Sequence, residues 1–246
     1  MRTLLALLLL APAARSQTWA ATASTAAEAV HQRDDLWTES RAAVTAQGAR
    51  LAGTAEAGWT ERYDQGAAFV GADLYPVLTE GVYANVRSRW APGSDVTARL
   101  DLGAEAFVAL GRGWEASAGG RRLAFADRTV WIASAGGARY VGPWYLRAQV
   151  SAVPDEETLP VSARLVVRHL DGDGGSLGDH WEVSAERGQE AVVEADGRTA
   201  IRDSWRLAGR VQRRLVGAVG GSAGLGYVAD EALSRLQVEA GVSLRW

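Results

Sequence analysis

The feature that most constrains this chain is an alternation of apolar and polar residues that runs for ten residues or more at a time. Near the C-terminus, Leu236, Val238, Ala240, Val242, Leu244 and Trp246 occupy one set of alternate positions. Arg235, Gln237, Glu239, Gly241, Ser243 and Arg245 occupy the other. Successive side chains of a strand point to opposite faces, so the segment reads as a strand with one apolar and one polar face. The same pattern recurs at 51–59, 82–90, 96–108, 144–152 and 161–168. In the 96–108 stretch, Val96, Ala98, Leu100, Leu102, Ala104, Ala106 and Val108 oppose Thr97, Arg99, Asp101, Gly103 and Glu105. A helical period is absent beyond the N-terminal segment.

Turn-forming clusters separate these runs: Tyr63-Asp64-Gln65-Gly66, Pro92-Gly93-Ser94-Asp95, Gly111-Arg112-Gly113, Gly142-Pro143, Asp171-Gly172-Asp173-Gly174 and Ala195-Asp196-Gly197. They recur about every sixteen residues, a hairpin period rather than a sequence repeat. The expectation is about fourteen strands, with twelve as the lower count, the weakest near 18–30 and 36–47.

Two architectures bury or cover such faces. A soluble sandwich uses strands of roughly 5–6 residues and needs bulk in its core. A membrane barrel uses strands crossing an apolar band with about 9–11 residues, and points the apolar face at lipid. The runs here are long and their apolar faces are thin, rich in Ala, Gly and Val. The 10 Trp also outnumber the 6 Tyr and 3 Phe. Trp59, Trp90, Trp114, Trp144, Trp181 and Trp205 stand near strand ends, where an interfacial aromatic girdle lies. The fold expected is all-β: a closed antiparallel up-and-down transmembrane β-barrel, which leaves no lipid-exposed edge.

The first sixteen residues read as a secretory signal peptide, and 17–246 as the barrel. Arg2 precedes the apolar run 4–10, and Ala14 and Ser16 fit a cut before Gln17. Removing Arg2 and Arg15 takes the net charge from −3 to −5, which argues against a nucleic-acid partner. With 0 Cys there are no disulfides, thiolate metal sites or cysteine nucleophiles. All 26 basic residues are Arg. An exported chain of this kind belongs in the outer membrane of a Gram-negative-type cell.

Residues 113–125, Gly-Trp-Glu-Ala-Ser-Ala-Gly-Gly-Arg-Arg-Leu-Ala-Phe, resemble the central hairpin of the YaiO-type outer-membrane β-barrel proteins. Residues 73–78, Asp-Leu-Tyr-Pro-Val-Leu, and the segment 236–246 also resemble that family. The sequence departs from the family pattern at Ala118, Gly120 and Ala124. The resemblance implies an outer-membrane barrel and supplies no catalytic residues.

Chemistry-bearing residues are few. A hydroxyl activated by His needs a fixed partner at hydrogen-bond distance. His169 lies near Asp171, His180 follows Asp179, and Ser162 and Ser176 could approach them, but no spacing requires it. His31 with Asp34 and Asp35 reads as a solvated loop rather than a cation site. No enzyme activity and no cofactor are expected. The remaining constellation is the set of inward charges: Arg87, Arg89, Arg99, Asp101, Glu105, Arg147, Arg164, Arg168, Arg206, Arg210, Arg214 and Glu239. These form either a pore lining or an ion-pair lattice that closes the lumen. Fourteen strands ~4.8 Å apart, tilted ~40°, give a backbone diameter of roughly 28 Å.

The terminal Trp246, with Val238, Ala240, Val242 and Leu244 at alternate positions, resembles the signal read by the outer-membrane assembly machinery. Expected partners are that machinery and outer-membrane lipid, with the protein monomeric. The function expected is a narrow channel for small hydrophilic solutes or for export of an envelope component. A non-conducting structural or interaction barrel is the alternative, and a lipid- or glycan-modifying enzyme a more distant one.

Overall fold

The computed structural model of the chain describes residues 18–31, 35–154, 159–171, 178–194 and 198–246. The expected signal peptide, Asp34 and Ser176 lie outside them. Fourteen strands follow one another: β1 (Thr18–Val30), β2 (Asp35–Gln47), β3 (Leu51–Arg62), β4 (Gln65–Thr79), β5 (Val82–Trp90), β6 (Leu100–Gly111), β7 (Trp114–Ala124), β8 (Thr129–Val141), β9 (Trp144–Ala152), β10 (Val161–Asp171), β11 (Asp179–Val193), β12 (Thr199–Val216), β13 (Val219–Asp230) and β14 (Ser234–Arg245). Each pairs antiparallel with its sequence neighbours, and β1 pairs with β14 from Ala20↔Arg245 to Val30↔Arg235, closing the barrel. Trp19 and Trp246 extend the seam by exchanging backbone hydrogen bonds of 2.9 and 3.0 Å.

The hairpins follow from their turn residues. Tyr63 and Asp64 both adopt positive φ, 54° and 57°, between the paired Arg62 and Gln65. That is the backbone of a two-residue type I′ turn, whose twist matches the flanking strands. The 80–81 turn, which the sequence reading did not single out, joins β4 to β5.

One expected strand is shorter than its alternation predicts. The run at 96–108 begins pairing only at Leu100. Pro92 has no amide hydrogen to offer a ladder. The Ser94 hydroxyl accepts from the Val96 and Thr97 amides at 3.3 and 3.1 Å, holding those donors out of the sheet. Val96 and Ala98 therefore do not face lipid; they are buried.

Directly paired residues share a face, so the register fixes what points in and out. Val70, Leu102, Val150, Leu165, Leu207, Leu225, Val238 and Val242 are exposed on the outer face. Trp131 and Trp144 mark its height. From Trp131 to Val141, which pairs with Trp144, β8 takes about ten steps. That is ~33 Å along the strand and, at ~40° tilt, ~25 Å of height, the thickness of a lipid-facing band.

The two ends of the barrel differ. The termini and the 80–81, 112–113 and 142–143 turns lie at one end. At the other, apolar side chains pack inside the mouth in two clusters. Val30, Trp37 and Leu233 pack with Tyr63; Ala98, Leu123 and Val130 pack with Phe125, Ile132 and Val153. On this side β11 and β12 outrun their neighbours: beyond Arg187, β11 has lost β10 and pairs only with β12. The break falls at Gly188, φ +146°, where a Cβ would lie 2.2 Å from the Ser162 Cα. Asp127, in the β7–β8 loop, accepts from the Thr199 amide at 2.8 Å and its hydroxyl at 2.7 Å, tying that loop to the start of β12.

Candidate functional site: the charged lumen

The lumen is built by the polar half of each strand. On neighbouring β10, β11 and β12 the inward residues align as Arg164↔Glu186↔Arg206 and Arg168↔Glu182↔Arg210. A row of acids thus lies between two rows of Arg. Arg168 donates to Glu182 through Nε at 2.8 Å and Nη2 at 2.5 Å. Arg214 continues the β12 row toward the terminal end. On the next strand, β13, the inward positions are Gly220, Ser222, Gly224 and Gly226, which leave the Arg side chains room.

From this wall a chain of looser pairs runs round the seam: Arg210 to Glu239 at 3.3 Å, Glu239 to Arg41 at 3.6 Å and Arg41 to Glu56 at 3.7 Å. On the opposite side Arg121 grips Asp101 with two bonds of 2.8 and 2.7 Å, and Arg87 stands 3.9 Å away. Two pairs reach further, across two intervening strands. Arg147 on β9 reaches Glu105 on β6 at 2.5 Å, and Arg89 on β5 reaches Glu39 on β2 at 2.8 Å. The Arg89 guanidinium also lies 3.4 Å over the Phe69 ring, and that ring covers Gly58, where a Cβ would come within 2.5 Å of it.

Of the twelve charges read as inward from sequence, the register turns eleven into the lumen. Arg99 is the exception. It lies in the 91–99 loop, bonding the Ser94 carbonyl at 3.0 Å and Asp95 at 2.6 Å. The register also turns in Glu28, Asp35, Asp73 and Asp230, acids the alternation did not single out. The lumen is therefore closer to charge balance than the sequence suggests, and its positive excess concentrates on β10–β12.

Among the described residues, the histidines do not assemble a hydrolase site. His169 faces outward, with its Nδ1 2.9 Å from Asp171 and its ring between Trp144 and Trp181 at 4.8 and 5.9 Å. Ser162 faces inward at the other end of the same strand. His180 is inward and buried, its Nδ1 3.0 Å from the Gly178 carbonyl oxygen. Asp35 accepts from the Leu36 amide and Trp37 Nε1, at 2.8 and 2.9 Å.

Trp59, Trp90, Trp114, Trp144, Trp181 and Trp205 all fall on the outer face, in two belts, and Trp131 joins them. Val238, Ala240, Val242 and Leu244 line the outer face of β14. Trp37 does the opposite: it is 1% exposed inside the mouth, edge-on to Tyr63 at 5.0 Å and beneath the Arg62 and Arg235 guanidiniums. Its early place in β2, after Leu36, was the only sequence sign of this.

No curated protein sequence matches the chain. Two crystal structures from Pseudomonas aeruginosa share its fold. One is of OccK3 (OpdO), with TM-score 0.50, 10% identity, and 94% of this chain and 95% of that one covered. The other is of OpdO, with TM-score 0.50, 9% identity, and 94% and 96% covered. The model of the YaiO membrane β-barrel domain matches residues 20–189, most of the fourteen-stranded wall just described. The chain belongs to the YaiO membrane β-barrel family.

Proposed function

We propose that this barrel sits in the outer membrane with its termini in the periplasm and acts as a narrow channel for small hydrophilic anions. The observation that carries the reading is the accessibility of the inward arginines. Arg87, Arg121 and Arg210 keep 43%, 40% and 39% of their side-chain surface open although they point into the barrel. Space beside them admits water-sized molecules, unlike the packed mouth. Cationic groups lining a confined pore lower the energy of an anion and raise that of a cation. The β10–β12 wall, beside the glycine-lined β13, is where this field is strongest.

The apolar clusters at the outer mouth favour a second reading, a barrel closed to solutes. Reconstitution in a planar bilayer under a salt gradient separates the two. A channel gives an anion-selective reversal potential, and Gln at Arg206, Arg210 and Arg214 weakens it. A cation-selective potential refutes the proposal. Absence of conductance both in the native protein and in a Leu123→Ser, Val130→Ser double variant, which wets the mouth, supports the closed barrel.

A further inference from the structure

Buried polar atoms without partners gather inside the lumen at its terminal end. Arg214 on β12, Gly220 on β13, Ser243 on β14 and Thr22 on β1 pair in succession, so they form one inward row across four strands. Arg245, the next inward residue of β14, turns back over this row. A Cβ built on Gly220 would lie 2.5 Å from the Ser243 Oγ and 3.5 Å from the Arg245 Nη2. Hydroxyl and guanidinium therefore meet over the same bare stretch of backbone, and by those distances stand no more than 6.0 Å apart. Glycine at 220 is what lets them approach.

The Arg245 side chain keeps only 10% of its surface. Neither its Nη2 nor the Ser243 Oγ has a hydrogen-bond partner among the described residues. Asp179 stands 3.7 Å from the Arg245 Nη1, beyond hydrogen-bond range, and the same carboxylate oxygen already accepts the Arg214 amide at 2.8 Å. Arg214 is exposed, and its side chain has no acid partner among the described residues. A buried donor with nothing to bond has given up its water for no return, and a buried charge deepens that loss. Native structures satisfy such groups. Two cations and a hydroxyl share one acid here, so the group that satisfies them is an anion accepting several hydrogen bonds.

The shape of that anion follows from where the donors start. Ser243 and Arg245 come from β14, and Arg214 from β12, on the far side of Gly220. A planar carboxylate is served by a single guanidinium fork. A halide offers one centre. The oxygens of a phosphate point in tetrahedral directions and take donors from both strands together.

We propose that Arg214, Ser243 and Arg245 form a binding site for a phosphate group at the terminal mouth of the lumen, either free phosphate or the end group of a small phosphate ester. The two guanidiniums neutralise it, and the Ser243 hydroxyl donates to a further oxygen. Side-chain rotation on binding is common, and Arg214, exposed and held by no acid, is the group that turns to admit the anion. The site deepens the anion-channel reading and rests on it only for passage of the anion beyond the site.

Isothermal titration calorimetry on the intact barrel refolded in detergent tests this, with phosphate, glycerol 3-phosphate and acetate as probes at constant ionic strength. The expected result is saturable binding of phosphate to one site per barrel, about tenfold or more tighter than acetate. Glycerol 3-phosphate binding as tightly as phosphate identifies an ester end group as the ligand; its exclusion identifies free phosphate. Arg245→Gln weakens phosphate binding about tenfold and Ser243→Ala about threefold. Arg213→Gln leaves it unchanged, because Arg213 faces outward and pairs with Asp171. Heat-modifiable migration shows which variants are folded, and Arg214→Gln, expected to cost about fivefold, takes the place of Arg245→Gln if that variant does not fold. Absence of saturable binding overturns the inference, as does equal binding of phosphate and acetate, or phosphate binding that none of the three lumen variants weakens. A barrel that binds phosphate without conducting sinks the channel and keeps the site. One that conducts anions and binds no phosphate does the reverse.

Discussion

An arginine placed on the outer face should cost stability in proportion to its depth in the band. Val150 and Leu102 are both outward and exposed, but the register puts them at different heights. Val150 pairs with Ala135, about four steps below Trp131, ~13 Å along the strand and ~10 Å in depth. It lies ~15 Å from the level of Trp144, close to the middle of a ~25 Å band. Leu102 is two steps from Leu100, which pairs with Trp90 in the belt opposite the termini. That is only ~5 Å of depth at ~40° tilt. Val150→Arg should therefore cost ~2–4 kcal/mol, and Leu102→Arg about 0–1 kcal/mol. Gln149→Arg, one residue from Val150 but facing the lumen, is the control and should cost far less than Val150→Arg. Urea unfolding of each variant in lipid vesicles, followed by Trp fluorescence, gives the three values. Equal costs at Val150 and Gln149 would refute the assignment of faces. Equal costs at Val150 and Leu102 would refute the placing of the belts.

Two further outcomes are expected. Replacing Trp246 by Asp removes the terminal aromatic beside the β1–β14 seam, so heat-modifiable barrel in the outer-membrane fraction should fall while export continues; normal yield would count against an assembly role. The Thr199 amide and hydroxyl donate to Asp127 and hold its carboxyl below the ordinary carboxylate pKa. A lowered folded pKa means that the tie between loop and ribbon is present above the ordinary value and is lost as pH falls through the lowered one. The Thr199 amide resonance should shift at that lower pH and stay fixed in Asp127→Asn. A midpoint at or above the ordinary carboxylate value would show that the bond is not formed in solution.

Much of the site was legible because facing is a local property. A strand sends successive side chains to opposite sides whatever its neighbours do, so Arg147, Glu105, Arg206 and Arg210 could be assigned inward from their own segments. The same local logic misread 96–99. Alternation there is as regular as in a strand, but whether it joins a ladder depends on where Pro92 and Ser94 leave the backbone donors. It also passed over Asp35 and Trp37, at the start of β2, and Asp230, at the end of β13, where too few residues remain to show a period.

The sequence by itself determined the class of structure: long half-apolar strands, tight turns with left-handed residues, and Trp at the strand ends specify a lipid-facing barrel. The tertiary structure alone decided which charges meet. Arg147 reaches Glu105 and Arg89 reaches Glu39 across intervening strands, contacts set by the curvature of the closed wall and not by any spacing along the chain. The apolar packing inside the mouth opposite the termini, by Val30, Trp37, Leu123 and Val130, has the same origin. A strand's pleat is written in its own residues. The distance between two strands that never pair is written only in how the sheet closes.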